Sequence, residues 1–262
     1  MKYYVFIILT CLMCAVLPTV VTADLFDGLV AYWPMDGDAQ DASGNELHGQ
    51  IFGAVKPAED RLGNPDSAMS FEGATNASDV NKAYIVIGNP DELRITGEIT
   101  LAAWAYIRNF ATLGRFISKH NGSSCSYNLC IEVDNSPNFY TSDDGQHPTL
   151  EECTGYGEIE LDENTWYYIT GVFKPGEYRA TYVDGEVVEK VTTGVDEKIF
   201  DSTVNVELGR RPNCCPLDGI LDDLTIWNRA LSQDEIRQAM DGNFASVKPS
   251  GKLAITWGFL KE

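Results

Sequence analysis

Gly219-Ile-Leu-Asp-Asp-Leu-Thr-Ile-Trp-Asn-Arg-Ala-Leu-Ser runs straight into Gln233-Asp-Glu-Ile-Arg-Gln-Ala-Met, and the two halves follow different periods. The first half is rich in apolar and β-branched residues between Gly219 and Asn228, which predicts a strand over Ile220–Asn228. The second half starts at Ser232, with Glu235 three residues later, the signature of a capping box. Ile236, Ala239 and Met240 then fall at helical spacing, and Gly242 is placed to end the helix. No second helix of comparable clarity appears elsewhere in the chain.

Outward from this stretch, short apolar or alternating segments recur between Gly, Asn, Asp and Pro. Strands are expected near Leu29–Trp33, Ala68–Phe71, Tyr84–Ile87, Ile99–Ile107, Phe116–Lys119 and Asn128–Val133. Others are expected near Thr165–Lys174, Tyr178–Val183, Glu186–Val191 and Asn205–Gly209. Between Tyr178–Val183 and Glu186–Val191, Asp184-Gly185 supplies the two positive-φ positions of a tight hairpin turn. Many strands and one short C-terminal helix predict an all-β fold, a jelly-roll sandwich of two antiparallel sheets. No fixed repeat period supports a propeller or solenoid.

The first residues predict export. An apolar run follows Met1-Lys2 and ends at Val21-Thr22-Ala23, where Val and Ala match a signal-peptidase site before Asp24. Residues 1–23 are therefore expected to be a signal peptide and residues 24–246 one domain, with 247–262 a tail around Trp257. A membrane anchor competes with this reading, because Tyr3–Val21 is nearly long enough to span a bilayer. After signal removal no span is expected, and the protein should be secreted or held at the cell surface. A net charge of −20 argues against nucleic acid and anionic membranes as partners. Cys125, Cys130, Cys153, Cys214 and Cys215 lie beyond the leader, and an odd number leaves at least one thiol outside intrachain disulfides. Adjacent Cys214 and Cys215 are not expected to bridge each other. One of them is expected to pair with a cysteine in the 125–153 stretch.

Four segments, in order, resemble the laminin-G-like, concanavalin A-like lectin-glucanase jelly-roll family. They are Leu29-Val-Ala-Tyr-Trp-Pro-Met-Asp-Gly with Asp41-Ala-Ser-Gly-Asn, Ser67-Ala-Met-Ser-Phe-Glu-Gly with Tyr84-Ile-Val-Ile, Ile99-Thr-Leu-Ala-Ala-Trp-Ala-Tyr-Ile with Asn164-Thr-Trp-Tyr-Tyr-Ile, and the opening Gly219 stretch. The resemblance implies that Trp33, Trp104, Trp166 and Trp227 are core. Their positions within apolar strands imply the same.

Asp36-Gly-Asp-Ala-Gln-Asp-Ala-Ser-Gly-Asn gathers carboxylates and amides in a Gly-rich loop, the oxygen supply a Ca²⁺ ion needs. The resemblance implies completion by an Asp of the closing strand, giving Asp36, Asp41, Asn45 and Asp222 as the expected structural calcium ligands. An Asx-type turn without metal is the alternative for Asp41-Ala-Ser-Gly-Asn.

For ligand contact, the enlarged segment from Asn121 to Gly157 offers Tyr127, Phe139, Tyr140 and Tyr156 amid Asn, Asp and Ser. Its alternative is a stapled surface loop with no ligand. Catalysis finds little support. The relatives that hydrolyse glucans carry Glu-x-Asp-x-x-Glu, whereas Glu132-Val-Asp-Asn-Ser-Pro and Glu160-Leu-Asp-Glu-Asn-Thr each lack the last carboxylate. His48, His120 and His147 sit in turn-like surroundings without a nucleophile elbow. The expected function is non-catalytic recognition of a glycan or glycoprotein. A structural or adhesive envelope protein and a divergent glycoside hydrolase are the alternatives.

Overall fold

The computed structural model describes residues 24–242, apart from 73–78, 80, 133, 148–152 and 156–157. The expected signal peptide, the C-terminal tail and Tyr156 lie outside the described residues.

The strands are β1 (Leu29–Trp33), β2 (Gln50–Gly53), β3 (Val55–Ala58), β4 (Ala68–Phe71), β5 (Ala83–Gly88), β6 (Ile99–Ile107) and β7 (Arg115–His120). They continue as β8 (Cys125–Ile131), β9 (Pro137–Thr141), β10 (Trp166–Lys174), β11 (Tyr178–Val183), β12 (Glu186–Val191), β13 (Val206–Leu208) and β14 (Gly219–Trp227). A single α-helix, α1 (Gln233–Met240), follows the last strand. An eight-stranded sheet runs β12-β11-β10-β6-β14-β4-β3, with β1 added beside β14, and a six-stranded sheet runs β2-β5-β13-β7-β8-β9. The expected jelly-roll architecture is the one found. No helix among the described residues is long and apolar enough to cross a membrane.

The opening stretch forms the strand and helix that its two periods predict. Ser232 accepts from the Glu235 N–H while the Glu235 carboxylate accepts from the Ser232 N–H at 2.7 Å, completing the capping box. Gly242 takes a φ of 69° past the helix end, and Asp184-Gly185 turns the β11–β12 hairpin with φ values of 50° and 76°.

The core lies between the sheets. Leu221, Leu224 and Ile226 of β14 pack there with Leu101, Phe116, Leu129 and Phe139. Leu221 and Leu224 are three apart, which a regular strand would send to opposite faces. A bulge between Asp222 and Thr225, with Asp223 at a φ of 48°, restores the phase.

The tryptophans divide. Trp33 is in the core, with its Nε1 donating to the Leu47 carbonyl at 2.8 Å. Trp227 lies under α1 in a second buried cluster on the outer face of the larger sheet, with Tyr168, Leu231 and Ile236. Trp104 and Trp166 are only half-buried, which corrects the reading of all four as core. Both stand on that same outer face, beside Tyr168 and Tyr106 respectively.

A candidate saccharide cleft on the smaller sheet

Across the smaller sheet the register sets residues in rows. Leu208, Ile117, Leu129 and Phe139 are successive cross-strand partners that point into the core. The neighbouring row is Glu207, Ser118, Asn128 and Tyr140, and a third joins Arg115, Cys130 and Asn138. Strand alternation turns these last two rows to the opposite, outer face. A surface sheet normally exposes such polar residues to water. Here Ser118, Asn128, Tyr140, Cys130, Asn138 and Arg115 are all buried.

Two elements lie over this face. The His147 ring packs on His120 and Tyr140, with centroids 5.0 and 5.4 Å away. The turn Arg211–Cys214 approaches from the other side, closed by reciprocal backbone bonds of 3.1 and 2.9 Å. In this turn Cys214 and Cys215 are joined to each other, and Cys125, Cys130 and Cys153 lie outside any disulfide. The expected bridge to the 125–153 stretch is thus corrected. Asn213 and Cys215 both adopt positive φ, 63° and 60°, so the backbone reverses within the turn and brings the adjacent sulfurs together.

The face keeps polar atoms without partners. Tyr140 Oη and His120 Nδ1 are 3.2 Å apart, and Glu132 pairs with Arg115 at 3.1 Å. Buried Ser118 Oγ, His120 Nε2, Asn138 Oδ1, Arg115 Nε and both amide atoms of Asn128 have no hydrogen-bond partner among the described residues. Native proteins leave few such groups, and each costs about 1–3 kcal/mol when buried dry. Burial, aided by the charges of Arg211 and Arg115, pushes His120 down to about 3, so the imidazole is neutral. Burial also pushes Cys125 up to about 12 and Cys153 up to about 11, which keeps these thiols protonated and unreactive.

At the edge of this face opens a cleft of about 500 Å³, lined by Asn121, Ser123, Thr203, Asn205, Glu207 and Asn213 among others. Glu207 belongs both to the cleft and to the polar row. Asn121 follows His120, and Asn213 lies at the tip of the Arg211 turn. Amides and hydroxyls dominate the lining. Such groups both donate and accept, and they match hydroxyl-rich ligands.

Of the expected contact residues, Tyr140 is in this face. Tyr127 and Phe139 are not available to a ligand, which corrects that expectation. Tyr127 is buried with its Oη donating to the Leu93 carbonyl at 2.9 Å, and Phe139 packs so closely on Gly171 that a Cβ there would meet its ring at 2.1 Å. Ser118, Asn128 and Asn205 were missed. The signal for Asn128 is the alternation in Cys125-Ser-Tyr-Asn-Leu-Cys-Ile, where the aromatic and aliphatic phase is the core and the polar phase faces outward.

The expected calcium ligands are otherwise engaged. Both Asp41 carboxylate oxygens accept local donors, from Tyr32 N, Ser43 N, Ser43 Oγ and Leu47 N, at 2.8 to 3.0 Å. Asn45 donates to the Val30 carbonyl at 2.8 Å, so the loop is the Asx-type alternative. Asp222 is met by Arg61 at 2.7 Å, and the same Nη1 reaches Asp223 at 3.1 Å. That guanidinium stacks over Trp104 at 4.6 Å, and Tyr32 Oη donates to Asp223 at 2.7 Å. Among the described residues no group of three or more His, Cys, Asp or Glu is placed to hold a metal ion. As arranged, these donors do not fit calcium, because an arginine cation already occupies the Asp222 end.

Comparison with known families agrees with this architecture. The family model of the concanavalin A-like lectin/glucanases superfamily matches residues 79–237. The chain belongs to that superfamily. No curated protein sequence matches significantly. Among solved structures, domain 4 of AbnA, a GH43 extracellular arabinanase from Geobacillus stearothermophilus in complex with arabinotriose, superposes with a TM-score of 0.61 at 16% identity. The match covers 80% of this chain and 97% of that domain. The binding domain of Paraclostridial Mosquitocidal Protein 1 has a TM-score of 0.61 at 16% identity, over 84% of this chain and 53% of its own length. The binding domain of botulinum neurotoxin DC in complex with SialylT has a TM-score of 0.59 at 11% identity, over 83% and 52%. The superfamily domain spans about half of each toxin binding domain.

Proposed function

We propose that this superfamily member is an exported, non-catalytic recognition module that binds saccharides in the cleft beside the polar face of the smaller sheet. The observation that carries the reading is the cleft of about 500 Å³ lined by Asn121, Ser123, Thr203, Asn205 and Asn213. The amides and hydroxyls of that lining can donate to and accept from the hydroxyls of such a ligand. Saccharides in two of the similar solved structures support the ligand class. The apolar leader supports export.

The non-catalytic part of the reading is supported by the state of the acids. Glu132 is held by Arg115, and Asp134 accepts from the backbone of Ser136, so neither projects as a free carboxylate. The test is a glycan array probed with the full chain, followed by titration of whatever binds. Asn205→Ala and Asn213→Ala are each expected to weaken binding by about two- to tenfold, the worth of one neutral hydrogen bond. Binding unaffected by both changes would place the ligand elsewhere. Release of reducing sugars from a bound glycan would replace recognition with hydrolysis.

A further inference from the structure

We propose that the C-terminal tail docks on its own domain, with Leu253, Ile255, Trp257 and Phe259 seated on an aromatic row of the larger sheet's outer face. Register sets the row: Ser70, Ile220, Tyr106 and Trp166 are successive cross-strand partners in β4, β14, β6 and β10. Along β6, Ala102 and Trp104 belong to the cluster under α1, and alternation puts Tyr106 on the same outer face. The Tyr106 and Trp166 rings lie 5.6 Å apart and, like Ile220, are only half-buried. Contiguous apolar surface of this kind marks a contact site.

The path of the chain leads to this row. Just before α1, the Leu231 N–H donates to Thr100 Oγ1 at 3.0 Å, and at its end Trp104 Nε1 donates to the Met240 carbonyl at 3.3 Å. Thr100 to Trp104 spans about 13 Å of strand and the helix about 12 Å, so α1 runs along β6 in the strand's own direction. Tyr106 is the next outward residue after Trp104, and the chain leaving Gly242 is therefore aimed at it. Further on, Leu253, Ile255, Trp257 and Phe259 alternate with Ala254, Thr256 and Gly258, the pattern of a strand with a single apolar face. The intervening stretch can extend over roughly 30 Å, ample reach for a row one residue pair beyond the helix end. Charge agrees with the seat. The tail carries Lys248, Lys252 and Lys261 against Glu262, in a chain with a net charge of −20, and Asp162 and Glu163 stand exposed just before β10. Docked there, the tail continues the cover that α1 begins and lies on the far side of the sandwich from the cleft.

The test places the photo-crosslinker p-benzoylphenylalanine at position 106 of the full chain and maps its crosslinks by peptide mass spectrometry. Crosslinks to residues 253–259 of the same chain are expected. The same crosslinks joining two chains, seen as a doubled mass, overturn docking in cis and make the row an interface between copies. Crosslinks that miss residues 253–259, or none at all, overturn the proposal outright. Trypsin cleavage after Lys252 is the second measurement, made on the chain without crosslinker and referred to the same cut in free peptides of residues 243–262. Ile255→Asp should speed this cut by about ten- to a hundredfold, the effect of losing one buried aliphatic side chain from the contact. Thr256→Asp, on the opposite phase, should leave it within about twofold. Equal acceleration by both substitutions, or by neither, overturns the alternating seat.

Discussion

On the outer face of the larger sheet, polar chemistry is closed upon itself apart from Thr170 Oγ1. Arg61 joins Asp222 to Asp223, Tyr32 bonds Asp223, and Trp104 Nε1 reaches the Met240 carbonyl at the end of α1. On the outer face of the smaller sheet, comparable polar side chains are just as buried, yet Asn128, Ser118 and His120 keep atoms without partners. The same strand alternation builds both faces. A face finished by its own charges and covered by a helix is scaffold, whereas one left with unspent donors and acceptors beside a cleft is where an outside molecule can contribute.

The comparison breaks most sharply at Arg61. Arg61→Met, measured above pH 8 where Asp222 is ionised, is expected to cost about 3 kcal/mol in urea unfolding, because the charges of Asp222 and Asp223 would remain without compensation. A loss under 1 kcal/mol would mean that the larger sheet's face is less closed than its geometry indicates. On the other face the sign should reverse. Asn128→Leu removes two unpartnered buried atoms while keeping the γ-branched shape and is expected to stabilise by about 1–2 kcal/mol. Destabilisation there would show ordered water satisfying the face.

The two faces also differ in pH dependence. Folding holds His120 near 3 against 6.5 in the open chain, so stability is lost as pH falls below about 6.5. Burial and the neighbouring Asp223 push Asp222 up to about 8 against 3.8, despite Arg61, so its contribution is lost as pH rises from about 4 through 8. His120→Gln should flatten the acid arm of a stability profile, and Asp222→Asn the alkaline arm. If either substitution flattens the opposite arm, the assignment of charge to the two faces is wrong.

Most of the scaffold was readable because it rests on local rules. Ile99–Ile107, Tyr178–Val183 and Glu186–Val191 occur with the expected bounds, as does the capped helix. β2 and β3 escaped notice because they are short, exposed edge segments, and β3 contains Pro57. β9 was hidden by the proline with which it begins. The site was much less legible. Aromatic content drew attention to Tyr127 and Phe139, but period-two alternation sends them inward, and one residue's offset moves the functional phase to Asn128 and Tyr140. The Cys214–Cys215 bond and the Arg61 bridge arise from backbone turns and long-range pairings that no spacing encodes.

The position of β14 in the larger sheet has a kinetic consequence. The last strand to be synthesised lies between β6 and β4 and also carries β1, so the sheet has no completed centre until Trp227 is available. Until then β4 and β6 wait with one open edge each, paired to β3 and β10, and β1 waits without a strand partner. Such late, non-local closure makes for slow folding and a long-lived, edge-exposed intermediate.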